Sequence, residues 1–255
     1  MSTKIQWTDE TWNPVTGCTP VSRGCLNCHA AKMARRLHGM GLVEYRKGFD
    51  VTTHPHRLEQ PLHWTRPRRV FVCSMGDLFH SAVPDDFIGC VWDIFAKAPQ
   101  HTYQVSTKRP GRMARFMRLR VPLPNVWLGT SCEDQEAADK RVPKLLQCRA
   151  AVRFLGLEPL LGPIDLLKSE RTPGACPHGS ESCSGCRTRT IPGIDWVIVG
   201  PETGAGARPM QHYWARSIRD QSKKANVPFF FKGIKKALPR DLRIQEFPTA
   251  STNGQ

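Results

Sequence analysis

The sequence predicts an α/β fold, a partial or full (β/α) barrel with an inserted cysteine-rich loop. Two observations predict it. Six short runs rich in β-branched and aromatic residues recur along the chain, and helix-forming segments separate most of them, which is the pattern of a parallel sheet built from βα units. Nearly every run also ends in a glycine turn or a charged residue, as expected of strands whose C-terminal ends assemble a site. A doubly wound open sheet is the alternative arrangement of the same units.

In chain order, residues 11–16 read as a short first strand that runs into a cysteine loop. A helix follows at 29–37, with Ala30, Met33, Ala34 and Leu37 on one face. Residues 39–67 are irregular, and their His54, His56 and His63 read as surface or hydrogen-bonding residues. A strand at 70–74 ends in Met75, Gly76 and Asp77, one at 103–106 in Thr107 and Lys108, and one at 126–129 in a turn that reaches Glu133. A strand at 152–155 ends in Gly156, Glu158 and Pro159, one at 196–199 in Gly200, Glu202 and Gly204, and one at 228–231 in Lys232 and Gly233. Helices are expected at 85–98, 110–120, 134–147 and 211–225. In a barrel, Asp77, Lys108, Glu133, Glu158, Glu202 and Lys232 converge on one mouth beside the cysteine loop. Residues 1–240 form a single barrel-like domain in this reading, the insertion spans about 168–193, and 241–255 form a disordered tail.

The cysteine loop carries the chemistry. Cys18, Cys25 and Cys28 stand at C-x6-C-x2-C spacing, in a segment that Gly17, Pro20 and Gly24 keep from regular structure. Three thiolates of this kind can hold a 4Fe–4S cluster and leave one iron open to an outside ligand. The competing readings are a zinc half-site and ordinary loop thiols. The helix that begins at 29 aims its free amides at the loop, and those amides favour an anionic thiolate group. Inside the insertion, Cys176, His178, Cys183 and Cys186 repeat the spacing and suit a second metal, with zinc ahead of iron–sulfur. Cys73, Cys90, Cys132 and Cys148 stand singly and read as buried small hydrophobes.

Composition narrows the class. The net charge of +15 over 255 residues points to a polyanionic partner, nucleic acid first. Residues 108–120 hold six basic residues and no acid, and Arg109, Arg112, Arg115 and Arg118 are the candidate nucleic-acid contacts. No run of eighteen apolar residues is present, which excludes a membrane-spanning helix of ordinary length. Ten cysteines without an apolar leader at the start of the sequence point to a reducing, cytoplasmic setting. The loop from Gly200 to Gly206 could let amides approach a ribose or phosphate, but it matches neither G-x-G-x-x-G nor a P-loop.

The ordered set of motifs is more specific than any one of them. Ile5-Gln-Trp-Thr-Asp9, Trp12-Asn-Pro-Val-Thr-Gly-Cys18, Met75-Gly-Asp-Leu-Phe-His80, Thr107-Lys-Arg-Pro110, Asn125-Val-Trp-Leu-Gly129, Glu158-Pro-Leu-Leu-Gly162, Asp195-Trp-Val-Ile-Val-Gly200 and Phe229-Phe-Phe-Lys232 run from residue 5 to residue 232. Together they resemble a phage-associated three-Cys-motif family named after two phage products, gp thirty-seven and gp sixty-eight. That family is itself similar to radical S-adenosylmethionine (SAM) enzymes. The resemblance implies a radical-SAM-like partial barrel with a 4Fe–4S cluster on Cys18, Cys25 and Cys28 and SAM on the open iron. It also implies that Gly76 and Asp77 lie at the SAM amino group, that Gly200, Glu202 and Gly204 lie near the adenosine, and that an electron-donor protein is a partner. The implied function is reductive cleavage of SAM to a 5′-deoxyadenosyl radical acting on an unknown substrate, with modification or repair of nucleic acid as one form of it. The alternative is a zinc-stabilised nucleic-acid-binding protein without catalysis.

Overall fold

Alternation with a period of two decides the architecture, because each apolar run has two faces and both are buried. The computed structural model describes residues 3–166, 191, 193–233 and 239–249. Its strands are β1 (Glu10–Trp12), β2 (Val15–Thr16), β3 (Thr52–Thr53), β4 (Arg69–Val72), β5 (Thr102–Thr107), β6 (Val126–Ser131), β7 (Val152–Leu157), β8 (Trp196–Val199) and β9 (Phe229–Phe231). Seven of them form one sheet in the order β1-β4-β5-β6-β7-β8-β9, with every neighbouring pair parallel. β2 and β3 make a small antiparallel pair beside it. The sheet curls into a half-barrel. β1 and β9 stand at opposite ends of the strand order, so the expected barrel is a partial one. The Gln6 side chain, just before β1, spans the gap by bonding both the N–H and the carbonyl of Gly233, each at 3.0 Å.

The helices are α1 (His29–Gly39), α2 (Asp85–Lys97), α3 (Pro110–Met117), α4 (Gln135–Leu145) and α5 (His212–Ala225). Their ends follow local chemistry. α2 opens on Asp85 and Asp86 and closes on Lys97, complementing its dipole. α3 opens on Pro110, whose missing N–H costs nothing there. The Asp134 side chain caps α4 by accepting from the Ala137 N–H at 2.9 Å. α5 ends where Asn226 turns left-handed, at φ 56°.

Two cores result. On the outer face, Tyr103, Val105, Leu128, Leu155 and Val197 pack with helix residues such as Phe95, Met113, Val142 and Ile218. On the concave face, Trp7, Trp127, Phe154, Trp196 and Phe230 form a separate aromatic core. The Trp7 ring meets Phe71, Phe154 and Trp196 with centroids 4.6, 6.4 and 6.3 Å away. Gly129 is required here, since a Cβ at that position would lie 2.5 Å from the Phe154 ring.

Three expectations change. The strand read at 11–16 splits into β1 and β2, because the Asn13 side chain leaves the ladder to accept from Met75 N–H at 2.8 Å and Pro14 offers no N–H. The tail read from 241 onward packs against the sheet as far as Phe247. Phe231 N–H donates to the Ile244 carbonyl at 2.8 Å, Glu246 N–H to the Phe229 carbonyl at 3.1 Å, and the Trp196 indole to the Glu246 carbonyl at 2.9 Å. The Phe247 ring covers Trp196 and Phe230 at 5.4 and 5.3 Å. This segment lies along the β9 edge, which would otherwise offer an unpaired row of amides and carbonyls. Its polar composition hid three apolar residues, Leu242, Ile244 and Phe247. Among the lone cysteines, Cys73, Cys132 and Cys148 are buried as expected, but Cys90 on α2 is exposed. Burial lifts the Cys132 thiol to about 12 and the Cys148 thiol to about 11. The inserted Cys176, His178, Cys183 and Cys186 lie outside the described residues. Among those residues, no helix is long and apolar enough to cross a membrane.

Candidate functional site

The C-terminal ends of the strands surround a cavity of about 290 Å³. Cys18, Cys25 and Cys28 line it together with Asp77, Lys108, Glu158, Glu202 and Lys232. Trp7, Phe71 and Phe154 add apolar surface, and the hydroxyls of Ser106 and Ser131, 3.3 Å apart, face each other at the ends of β5 and β6.

Backbone geometry brings the cysteines there. Gly17 sits at φ +83°, and a Cβ on it would meet the Asp50 carbonyl oxygen at 2.2 Å. It pairs with Gly76, the turn residue after β4, and donates its N–H to the Met75 carbonyl at 2.9 Å. A Cβ on Gly76 would in turn stand 3.0 Å from the Gly17 and Val15 carbonyl oxygens. Two glycines therefore let the cysteine loop lie directly on the strand-end turn. A single 3-10 turn, Arg23–Cys25, carries the chain to Cys28, which caps α1, and the Lys32 N–H closes the first helical turn on the Cys28 carbonyl at 3.1 Å. All three thiols are free and half-buried. Burial holds the Cys18 thiol above its ordinary value and Asp77 adds to this, while Arg109 pulls the other way. Among the described residues, no three His, Cys, Asp or Glu side chains gather closely enough to hold a single metal ion.

The strand-end charges divide into two kinds. Asp77 and Glu202 act as anchors. Asp77 is buried and accepts from Thr107 Oγ1 at 2.7 Å, the Phe79 N–H at 2.9 Å and Arg109 Nη1 at 2.9 Å. Glu202 accepts from Arg208 at 2.6 and 2.9 Å and from Asn27 Nδ2 at 3.0 Å. Bonding to Arg208, helped by Asn27, lowers the Glu202 carboxyl to about 2 against the opposing effect of burial. Asn27 lies between Cys25 and Cys28 and also donates to the Gly206 carbonyl at 2.8 Å, while Lys32 of α1 donates to the Ala205 carbonyl at 2.8 Å. The 200–206 loop is thus tied to the cysteine loop, and its exposed Gly204 (φ +93°) stays outside the cavity lining.

Lys108, Glu158 and Lys232 are the second kind, charges that face the cavity. Glu158 pairs with Lys232 Nζ at 3.1 Å and accepts from the Trp7 indole at 3.3 Å. Gly200 leaves room for this carboxylate, since a Cβ there would lie 2.7 Å from Glu158 Oε1. Glu133 departs from the expected mouth. It is 1% exposed, pairs with Arg141 at 2.9 Å behind the cysteine loop, and lies where a Cβ on Gly24 would touch it at 2.9 Å. Burial opposes its ionisation, yet the Ser22 hydroxyl and Arg141 hold its carboxyl below the usual value.

The expected basic face also changes. Arg109 turns inward to Asp77 and Cys18, and Arg112 is spent on the His80 carbonyl, the Val83 carbonyl and Asp85. Arg115 and Arg118 remain exposed. Sequence reasoning missed Asn27, Arg208, Thr107 and Trp7. Trp7 and Thr107 stand inside motifs already quoted and Asn27 between two of the cysteines, but nothing local marked what each of them bonds.

No curated protein and no solved structure matches the chain. Residues 2–246 match the family described as protein of unknown function (DUF5131), and the chain belongs to that family.

Proposed function

We propose that this chain is a radical-SAM-like iron–sulfur enzyme, in which Cys18, Cys25 and Cys28 hold a 4Fe–4S cluster and the adjoining cavity receives SAM and a substrate. The observation that carries the reading is that all three cysteines line the same cavity as the strand-end residues and the Gly76 turn. The donor set fits the group. Three free, half-buried thiols line one cavity beside a helix N-terminus, and thiolates are the protein ligands such a cluster takes. When bound, the cluster and SAM supply one-electron reductive cleavage of the sulfonium, giving methionine and a 5′-deoxyadenosyl radical that takes hydrogen from substrate.

The chain's own residues supply position and a dry pocket. Trp7, Phe71 and Phe154 exclude water from the inner end of the cavity. Asn27, held by Glu202, keeps the Cys25–Cys28 turn in place. By resemblance, the Met75–Asp77 turn and the Gly200–Gly206 loop take the amino and adenosine ends of SAM, and of that loop Pro201, Glu202 and Thr203 line the cavity. Lys108 and the Glu158–Lys232 pair orient the polar groups of the substrate. The charge of +15, with Arg115 and Arg118 exposed, favours a nucleic-acid substrate within this reading. The rival zinc-stabilised binder gains nothing from Arg109 and Arg112, whose guanidinium groups face internal partners.

Anaerobic reconstitution tests the proposal. The expected result is about four irons per chain, a broad absorbance near ~400 nm and dithionite-dependent formation of 5′-deoxyadenosine, all lost in Cys25→Ala. Zinc uptake without iron, and no SAM turnover, would overturn it.

A further inference from the structure

We propose that Arg109 is a positioning residue for the cysteine loop, donating to the Cys18 sulfur and raising the reduction potential of the centre held there. The inference rests on the cluster reading above. Arg109 follows β5 at the start of α3, 91 residues from Cys18 in sequence, yet its Nη1 lies 3.3 Å from Cys18 Sγ. The same nitrogen donates to Asp77 Oδ2 at 2.9 Å, and Nη2 donates to the Thr19 carbonyl at 2.9 Å and to Thr19 Oγ1 at 3.1 Å. One planar fork therefore holds the backbone and side chain on one side of Cys18 as well as its sulfur. Only 15% of the Arg109 side chain is exposed.

The partners are themselves held. Asp77 accepts from Thr107 Oγ1 and the Phe79 N–H, which aims its second oxygen at the guanidinium. Thr19 Oγ1 also meets His80 Nε2 at 2.8 Å. Because the Ala82 N–H donates to His80 Nδ1 at 3.1 Å, the neutral ring carries its proton on Nε2 and donates to Thr19. Burial, ahead of Arg109, keeps that ring neutral, and its pKa is lowered. Thr107 further accepts the Arg109 N–H at 2.9 Å, so the strand end, the carboxylate and the arginine form one unit. A hydrogen-bond donor carrying positive charge stabilises the more reduced, more negative state of a thiolate-bound centre, and such bonds to sulfur are among the terms that set iron–sulfur potentials. Lysine would not replace it, because a single ammonium lacks the fork that reaches Cys18, Thr19 and Asp77 together.

Reconstituted wild-type, Arg109→Gln, Arg109→Lys and Arg112→Gln chains would be titrated anaerobically while the iron–sulfur absorbance and paramagnetic signal are followed. The expected result is a midpoint potential shifted negative in Arg109→Gln, a smaller negative shift in Arg109→Lys, and no shift in Arg112→Gln, which lies on the first turn of α3 just beyond Arg109 and does not touch Cys18. An unshifted potential in Arg109→Gln overturns the inference whatever its stability, as does an equal shift in Arg112→Gln. If Arg109→Gln does not fold, Arg109→Lys decides, and a wild-type potential there is refuting. A wild-type chain that takes up no iron overturns the cluster reading and this inference together. Iron uptake with unshifted variants overturns this inference alone.

Discussion

Replacing Glu202 by Gln tests how the 200–206 loop is fastened to the cysteine loop. The carboxylate is 5% exposed, pairs with Arg208 at 2.6 Å and accepts from Asn27 at 3.0 Å. Glutamine keeps the shape and removes the charge that both donors address. The carboxyl falls from its ordinary 4.5 to about 2 on folding, and at ~1.4 kcal/mol per unit that depression bounds its contribution near 3 kcal/mol. Arg208 is 28% exposed, so solvent screening brings the expected loss to about 2 kcal/mol. For a chain of this length that corresponds to roughly 4–8 °C in melting temperature.

The sign with pH is fixed by the direction of the shift. A carboxyl whose folded value is depressed contributes fully above its unfolded value of 4.5, and the contribution disappears as pH falls toward about 2. Wild type and Glu202→Gln should therefore differ by about 2 kcal/mol in denaturant unfolding at pH 7 and converge as the medium is acidified. A difference that stays constant from pH 7 down to about 2.5 would refute the assignment of the stabilisation to the ionised carboxylate. So would a variant as stable as wild type at pH 7.

Two further substitutions test the frame that holds the site. Gly129→Ala puts a Cβ 2.5 Å from the Phe154 ring and should cost about 1–3 kcal/mol through overpacking of the concave core, read as a fall in melting temperature; an unchanged or higher value would show that Phe154 can move aside. Phe247→Ala removes a half-buried ring from Trp196 and Phe230 and should cost about 2 kcal/mol, together with a change in tryptophan fluorescence. A variant identical to wild type would mean that this segment contributes nothing to the fold.

The legible part of this protein is local. Val70 and Val72 alternate with Phe71, and Trp196 and Ile198 alternate with Val197 and Val199, so period-two strands and a parallel α/β sheet follow from neighbours two residues apart. The spacing of Cys18, Cys25 and Cys28 and the helix that follows are equally short-range, and the structure does bring these thiols to the strand ends with Asp77, Lys108, Glu158, Glu202 and Lys232. What stayed hidden depends on pairs distant in sequence. Arg109 read as a nucleic-acid contact because its basic neighbours surround it in the chain, whereas its partners Asp77 and Cys18 stand 32 and 91 residues away. Glu133 read as a mouth residue because it follows a strand, yet Arg141, one helix turn beyond Ala137, draws it behind the loop. Asn27 stands between two of the cysteines but gave no sign of what it bonds, since its partner Glu202 is 175 residues distant. The sequence by itself determined the repeating βα units and the thiol loop, because propensity, period and spacing are properties of neighbouring residues. Only the tertiary structure decided which charges face the cavity and which are neutralised behind it, because an ion pair or hydrogen bond depends on distances that the fold alone sets.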